Sequence, residues 1–255
     1  MPKFSANLGF LWNELTLPER IHAAKNAGFA AVECHFPYET PADAVAAALK
    51  DTGLEMIGLN TRLGINGPDD FGVMAMPGRE DEARGYVDEA IAYAAAIGAR
   101  NVNAVPGKTG GTEEAETVFR SNLRYACDQA APLGITIVIE GVNQRDAPGY
   151  HFSIVEVGLE TIRAVAADNL KLMFDCYHAQ IMQGDLTQLL RSSLPHVRHV
   201  QFAAVPDRGE PDTGEVNYPY LLAALDDMGW GGFVGAEYRP RRTTQEGLTW
   251  MDVYR

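Results

Sequence analysis

Cysteine is scarce in this 255-residue chain: Cys34, Cys127 and Cys176 stand far apart and are odd in number. That excludes a disulfide framework and the paired Cys-x-x-Cys of a structural zinc site, and it fits a reducing cytoplasm. Basic residues are also few, 21 Lys and Arg against 34 Asp and Glu, for a formal net charge of −13. Such a balance leaves no basic footprint, so no nucleic-acid partner is expected. The same field repels anions at long range, and an anionic substrate needs local Lys or Arg to offset it. No apolar run reaches the roughly 18 residues that cross a bilayer, and the opening segment lacks a basic stretch followed by an apolar core. Neither a membrane partner nor a secretion signal is therefore expected.

What is present is an alternation of short β-rich runs with longer amphipathic stretches, the pattern of repeated βα units on a parallel sheet. The eight runs are Phe4–Leu8, Ala31–His35, Glu55–Asn60, Asn101–Val105, Thr136–Glu140, Leu170–Asp175, His199–Phe202 and Gly232–Glu237. Several are continuously apolar, as a strand buried on both faces must be. Helices are predicted over Pro18–Ala27, Pro41–Lys50, Glu80–Ile97, Glu113–Ala131, Ser153–Ala167 with Ser153 as N-cap, Leu186–Ser192 and Tyr218–Met228. Pro near the first turn and Gly just past the end punctuate several of them. The chain reads as one domain over residues 1–255, a (β/α)8 barrel of ordinary length. One connection is unusual: Thr61–Gly78 is long, carries four glycines and has no predicted structure. Such a loop is often functional, although a surface insertion explains it as well.

Four runs end in a polar group able to bind metal: Glu140, Asp175, Gln201 and Glu237. They lie 35, 26 and 36 residues apart, each near one βα unit of roughly 30 residues. In a parallel barrel that spacing sets the strand ends side by side at the C-terminal face, where active sites of this fold sit. A single carboxylate ending a strand usually caps the next helix; four consecutive units ending this way favour a shared site. Three carboxylates and an amide oxygen at one buried mouth cannot all stay charged and unpaired. A bound cation resolves the conflict, and an all-oxygen set suits Mg²⁺ or Mn²⁺.

Glu140, Phe174-Asp-Cys-Tyr-His178, His199-Val-Gln201, the segment from Arg208-Gly-Glu-Pro to Thr-Gly-Glu-Val-Asn-Tyr218, and Glu237-Tyr-Arg-Pro240 resemble the hydroxypyruvate isomerase family, among the xylose-isomerase-like barrels. Phe4-Ser-Ala-Asn-Leu8 and Pro77-Gly-Arg-Glu80 extend the resemblance over nearly the whole chain. It implies a TIM-type barrel, a divalent metal on Glu140, Asp175, Gln201 and Glu237, and aldose–ketose isomerisation with Glu140 and Glu237 as the acid/base pair. The implied substrate is a small hydroxy-oxo acid, hydroxypyruvate first. Four-carbon 2-oxo acids, as taken by a 2-oxo-tetronate isomerase, are the alternative. Related ketose 3-epimerases carry His where Gln201 stands. The resemblance and the long loop also permit a homo-oligomer.

The reaction chemistry assigns further roles. An enediol route requires a base, an acid and stabilisation of the enediolate oxygen. His178, three residues after Asp175, is placed in the loop beyond its strand to polarise a substrate oxygen. The forked guanidinium of Arg208 matches a substrate carboxylate, and Lys108 offers a second positive charge. Gly107-Lys-Thr109 is no phosphate loop, because the glycine required five residues earlier is Val102. Arg79 and Glu80 read as helix-start residues, and Trp12, Phe36 and Tyr238 as packing before pocket wall. A metal-dependent phosphodiester hydrolase is a distant alternative that predicts more histidines and a basic groove. A non-catalytic metal-binding barrel is the other.

Overall fold

A computed structural model describes residues 3–254; residues 1, 2 and 255, part of the expected single domain, lie outside the described residues. The strands are β1 (Lys3–Asn7), β2 (Ala31–Glu33), β3 (Glu55–Met56), β4 (Gly58–Asn60), β5 (Asn101–Asn103), β6 (Thr136–Glu140), β7 (Leu170–Asp175), β8 (Val197–Phe202) and β9 (Phe233–Ala236). The helices are α1 (Leu17–Asn26), α2 (Ala42–Thr52), α3 (Glu80–Ile97), α4 (Glu113–Ala130), α5 (Val155–Val165), α6 (Cys176–Met182), α7 (Leu186–Ser193) and α8 (Tyr218–Asp227). All strand pairs are parallel, and β1 lies between β2 and β9, which brings the two ends of the chain together.

The expected eight-stranded barrel is thus a near-closed ring of nine strand segments. The third predicted run is divided at Ile57. Its first part, β3, pairs with β2, and its second, β4, pairs with β5. The break is local. Ile57 still donates its N–H to the Val32 carbonyl at 2.7 Å and accepts from Asn101 at 3.0 Å. One extended segment therefore passes its hydrogen bonds from one neighbour to the other across a single residue.

Two helix readings need correction. α5 begins at Val155 and Ile154 occupies its N-cap position, so Ser153 is not the cap. α6 was not expected, and it starts directly after β7 because the Asp175 side chain accepts the Tyr177 N–H at 2.8 Å. Asp175 is both a strand end and a helix cap, and the residue three positions on, His178, is helical rather than in a loop.

Strand alternation explains what faces where, since successive side chains point to opposite faces. Phe4, Ala6, Val32, Val102, Ile137, Ile139, Leu172, Phe174, Val200, Phe202, Val234 and Ala236 join the apolar core under the helices. The residues between them point inward, and they are largely polar: Ser5, Asn7, Glu33, Asn101, Asn103, Glu140, Asp175, His199, Gln201 and, just past β9, Glu237 are all buried. Barrel interiors are ordinarily filled by Val, Ile and Leu; this one holds a column of hydrogen-bonding and charged groups. Among the described residues no helix is long and apolar enough to cross a membrane.

The 61–78 connection is packed rather than structureless. Met74 and Ala75 are fully buried and donate their N–H groups to Val105 and Pro106. Gly72 passes so close to the Val105 carbonyl that a Cβ there would lie 2.4 Å from the oxygen. Asp70 locks the segment: both of its oxygens bond Arg79 at 2.9 Å, and Asn66 adds two more bonds at 3.0 Å. Arg79 and Asn66 together hold the Asp70 carboxyl down to about 2. Because the folded value lies below that of the unfolded chain, this contribution is complete above about pH 4 and is lost as pH falls toward 2. Hydrogen exchange at Met74 and Ala75 should quicken over that window, and Asp70→Asn should reproduce the change at pH 7. An increase no larger than in β6 would count against the lock.

Candidate active site

Glu140 ends β6, Asp175 ends β7, Gln201 lies one residue from the end of β8 and Glu237 follows β9. Asp175 pairs with Gln201, whereas Glu140 pairs with Met173 and Gln201 with Gly235, so Glu140 and Glu237 are each offset by two residues along the sheet from this pair. All four come to the C-terminal rim, and each is at least nine-tenths buried. His178 comes back to the same place from the first turn of α6. Its Nε2 lies 3.5 Å from Asp175 Oδ2 and 3.8 Å from Glu140 Oε1. Ligand atoms of Glu140, Asp175 and His178 all fall within 4.8 Å of one another, a candidate metal-binding cluster.

Glu237 has a different set of partners. Its Oε1 is 2.8 Å from His35 Nε2 and accepts from Asn7 at 3.1 Å, and its Oε2 accepts from Arg208 at 3.2 Å. Arg208 also stands 3.6 Å from Asp175 and 3.9 Å from Asp146. The rings of Phe10 and Tyr177, each 5.0 Å from its guanidinium carbon, hold it in place.

These surroundings pull the carboxyls apart. Burial, followed by the charges of Glu237 and Asp175, pushes Glu140 well above the ordinary carboxylate range. Burial and Glu237 raise Asp175 to about 7 against the opposing pull of Arg208. Burial also works to raise Glu237, but Arg208 and then His35 outweigh it and hold the group at about 2. His178 is lowered well below the usual imidazole range by burial and by Arg208, so its ring is neutral.

The donor set fits a hard divalent cation. Asp175 Oδ2 and Gln201 Oε1 are buried oxygens with no hydrogen-bond partner among the described residues. A buried acceptor without a hydrogen bond is costly, and these two oxygens, with the carboxylates of Glu140 and Glu237 at the same rim, are the hard donors a divalent cation would satisfy.

Above this rim opens a cavity of 220 Å³. Glu140, His178, Arg208 and Glu237 line it, as do His35 and Asn103 from the strands and Leu63 and Phe71 from the long connection. One wall is apolar, built from Val105, Val142 and Tyr150 with Phe71 set edge-on to Tyr150 at 5.6 Å. Phe36 lines the cavity, whereas Trp12 and Tyr238 belong to the core. Lys108 is not brought to this cavity. Its ammonium donates to the Pro68 carbonyl at 2.9 Å and lies over Phe71, tying the long connection to the β5 loop.

Sequence reasoning passed over Asn7, His35 and Asn103. Each lies at or just beyond the C-terminal end of its strand, so the rule that found Glu140, Asp175, Gln201 and Glu237 on β6 to β9 would have found these on β1, β2 and β5 had it been applied to every strand. The buried Glu33–His199 pair, with a 2.6 Å contact below the rim, was passed over too.

Comparison with known proteins agrees with the barrel fold. The xylose isomerase-like TIM barrel family matches residues 21–254. The chain is 40% identical to the 2-oxo-tetronate isomerase of Cupriavidus necator, over 100% of this chain and 99% of that protein. It is 38% identical to the hydroxypyruvate isomerase of Escherichia coli, over 100% of both. A crystal structure named as an AP endonuclease, family 2, from Brucella melitensis superimposes with a TM-score of 0.96 at 43% identity, each chain covered completely.

Proposed function

We infer the reaction from one premise: this chain belongs to the xylose isomerase-like TIM barrel family, is related to its hydroxypyruvate and 2-oxo-tetronate isomerases, and is itself an isomerase. Its substrate in this reading is a small hydroxy-oxo acid, with four-carbon 2-oxo-tetronate placed ahead of hydroxypyruvate. The observation that carries the reading is the rim group of Glu140, Asp175, Gln201 and Glu237, with two oxygens that lack a hydrogen bond, under a cavity of 220 Å³. The order of substrates differs from the expectation drawn from the residues alone. The C. necator 2-oxo-tetronate isomerase, 40% identical over the whole of this chain, supports it.

In both acids a hydrogen moves between C3 and C2 through an enediol. A divalent cation, Mg²⁺ or Mn²⁺, held by Glu140, Asp175, Gln201 and Glu237 would supply Lewis-acid stabilisation of the enediolate oxygens. Glu140 and Glu237 both line the cavity and share the proton work: the ionised one takes the C–H proton and the protonated one delivers its own proton to the neighbouring carbon. Asn143 decides what His178 does. Its backbone N–H and its side-chain amide both approach His178 Nδ1, at 3.2 and 2.6 Å, and its Oδ1 is occupied by the N–H groups of Arg145 and Asp146. Nδ1 is thus an acceptor, and a neutral ring must carry its proton on Nε2. His178 accordingly donates that proton's hydrogen bond to a substrate oxygen. Arg208 balances Glu237 and donates at the same end, and the apolar wall keeps bulk water from the reacting carbons.

A phosphodiester hydrolase fits less well. The charged lining of the cavity is Glu140, Asp146 and Glu237 against Arg208 and Arg239, which is no cradle for a polyanion.

Proton NMR in D2O with Mg²⁺ or Mn²⁺ tests the proposal on both acids. Conversion of at least one acid is expected, at least 100-fold slower after EDTA, with deuterium entering the product when the transferred proton exchanges with solvent. Turnover of free ketoses alone, with metal demonstrably bound, would move the chain to the epimerases.

A further inference from the structure

The cavity contains two guanidinium groups, and their surroundings differ. Arg208, to which the sequence assigned the substrate carboxylate, already faces Glu237, Asp175 and Asp146 within 4.0 Å. It is enclosed between two aromatic rings and committed to the rim. Arg239 lines the same cavity from the segment after β9 and is exposed at its mouth. Among the described residues no carboxylate lies within salt-bridge distance of it. Its side chain is oriented by Phe10, whose ring centre is 5.6 Å from the guanidinium carbon. Its backbone N–H donates to the Arg208 carbonyl at 2.7 Å, so the two arginines are fixed relative to one another.

We propose that Arg239 is the specificity residue that binds the substrate carboxylate and selects hydroxy-oxo acids over neutral sugars. The argument rests on the isomerase reading above and extends it. A chain of net charge −13 repels an acid, and the rim carboxylates repel it at short range. A carboxylate entering this cavity meets one guanidinium, that of Arg239, with no carboxylate partner among the described residues; Arg208 keeps an unbonded Nε, but its charge is buried against Glu237 and Asp175. A planar fork accepts both carboxylate oxygens at once. Anchored at the mouth, the acid extends its C2 and C3 inward to Glu140 and Glu237, while its negative end stays furthest from them. Phe10 serves both arginines, stacking on Arg208 toward the rim and on Arg239 toward solvent.

The test has two arms. Calorimetry follows binding of tartronate, an unreactive hydroxy acid, and of glycerol, its neutral counterpart, in the presence of Mg²⁺. Kinetics compares 2-oxo-tetronate and hydroxypyruvate with erythrulose and dihydroxyacetone, in which CH2OH replaces the carboxylate. Arg239→Ala should weaken tartronate and raise KM for the acids by about 10- to 100-fold, with a much smaller change in kcat and none in the neutral compounds. Arg239→Lys should restore part of the loss. Equal losses for acids and neutral compounds, or no loss of tartronate binding, would overturn the assignment. Failure of the unaltered protein to convert any acid would instead overturn the isomerase reading, and the calorimetric arm would still decide the role of Arg239. Because the side chain is exposed, an unchanged melting temperature is expected and separates lost binding from lost folding.

Discussion

Glu237→Gln should lower kcat by about 10³-fold, within the range of 10²–10⁴ that a positioned acid or base contributes. The amide preserves the shape of the side chain and removes its charge. Three groups converge on that charge: His35 at 2.8 Å, Asn7 at 3.1 Å and Arg208 at 3.2 Å. Their combined pull keeps a buried carboxyl ionised, which is the state a proton acceptor requires. Glu140→Gln should cost as much, since the neighbouring carbon would then lack its partner. The measurement is turnover by NMR alongside metal content of the purified variant. Metal retained with turnover lost places Glu237 in proton transfer. Metal and turnover lost together assign it to holding the cation alone, and near-normal turnover would remove it from the mechanism altogether.

Gly235→Ala is expected to be the most damaging glycine-to-alanine change within the barrel strands. A Cβ at this position would lie 2.2 Å from Glu33 Oε1, 2.8 Å from His199 Nε2 and 3.0 Å from Gln201 Cγ. None of these can retreat easily, because Glu33 and His199 are bonded to each other at 2.6 Å within a buried column. Overpacking of this kind costs about 1–3 kcal/mol, equivalent to a fall of roughly 2–12 °C in Tm for a chain of this size. The displacement also reaches Gln201, so affinity for Mn²⁺ should weaken. Thermal melts and metal titration of the variant check both effects. A melt within 1 °C of the unaltered protein, with normal metal affinity, would show that the column yields freely.

The rim was legible in the sequence because it depends on two local regularities. Strand alternation sends Glu140, Asp175 and Gln201 to one face, and the length of a βα unit sets them on neighbouring strands. Both are properties of short segments, and so the strand-end location of the four positions is readable before any long-range contact is known. The divided third strand was not legible, since β3 and β4 differ only in which neighbour they pair with. α6 was not legible because β7 runs into it without an intervening turn, Asp175 being at once the last residue of the strand and the N-cap of the helix.

By itself, then, the sequence determined a parallel α/β ring, its polar strand-end positions at β6 to β9 and a net charge of −13. Tertiary structure decided which charges face each other. Asn7 and Glu237 are 230 residues apart and His35 and Glu237 are 202 apart, yet closure of β1 onto β9 makes them neighbours. The same closure and the loops above it separate Arg208, surrounded by carboxylates, from Arg239, which faces the cavity unopposed, and they carry Lys108 away to Pro68. An arginine's charge is written in its codon, but whether that charge is already spent depends on the field of its neighbours, and that field exists only once the ring has closed.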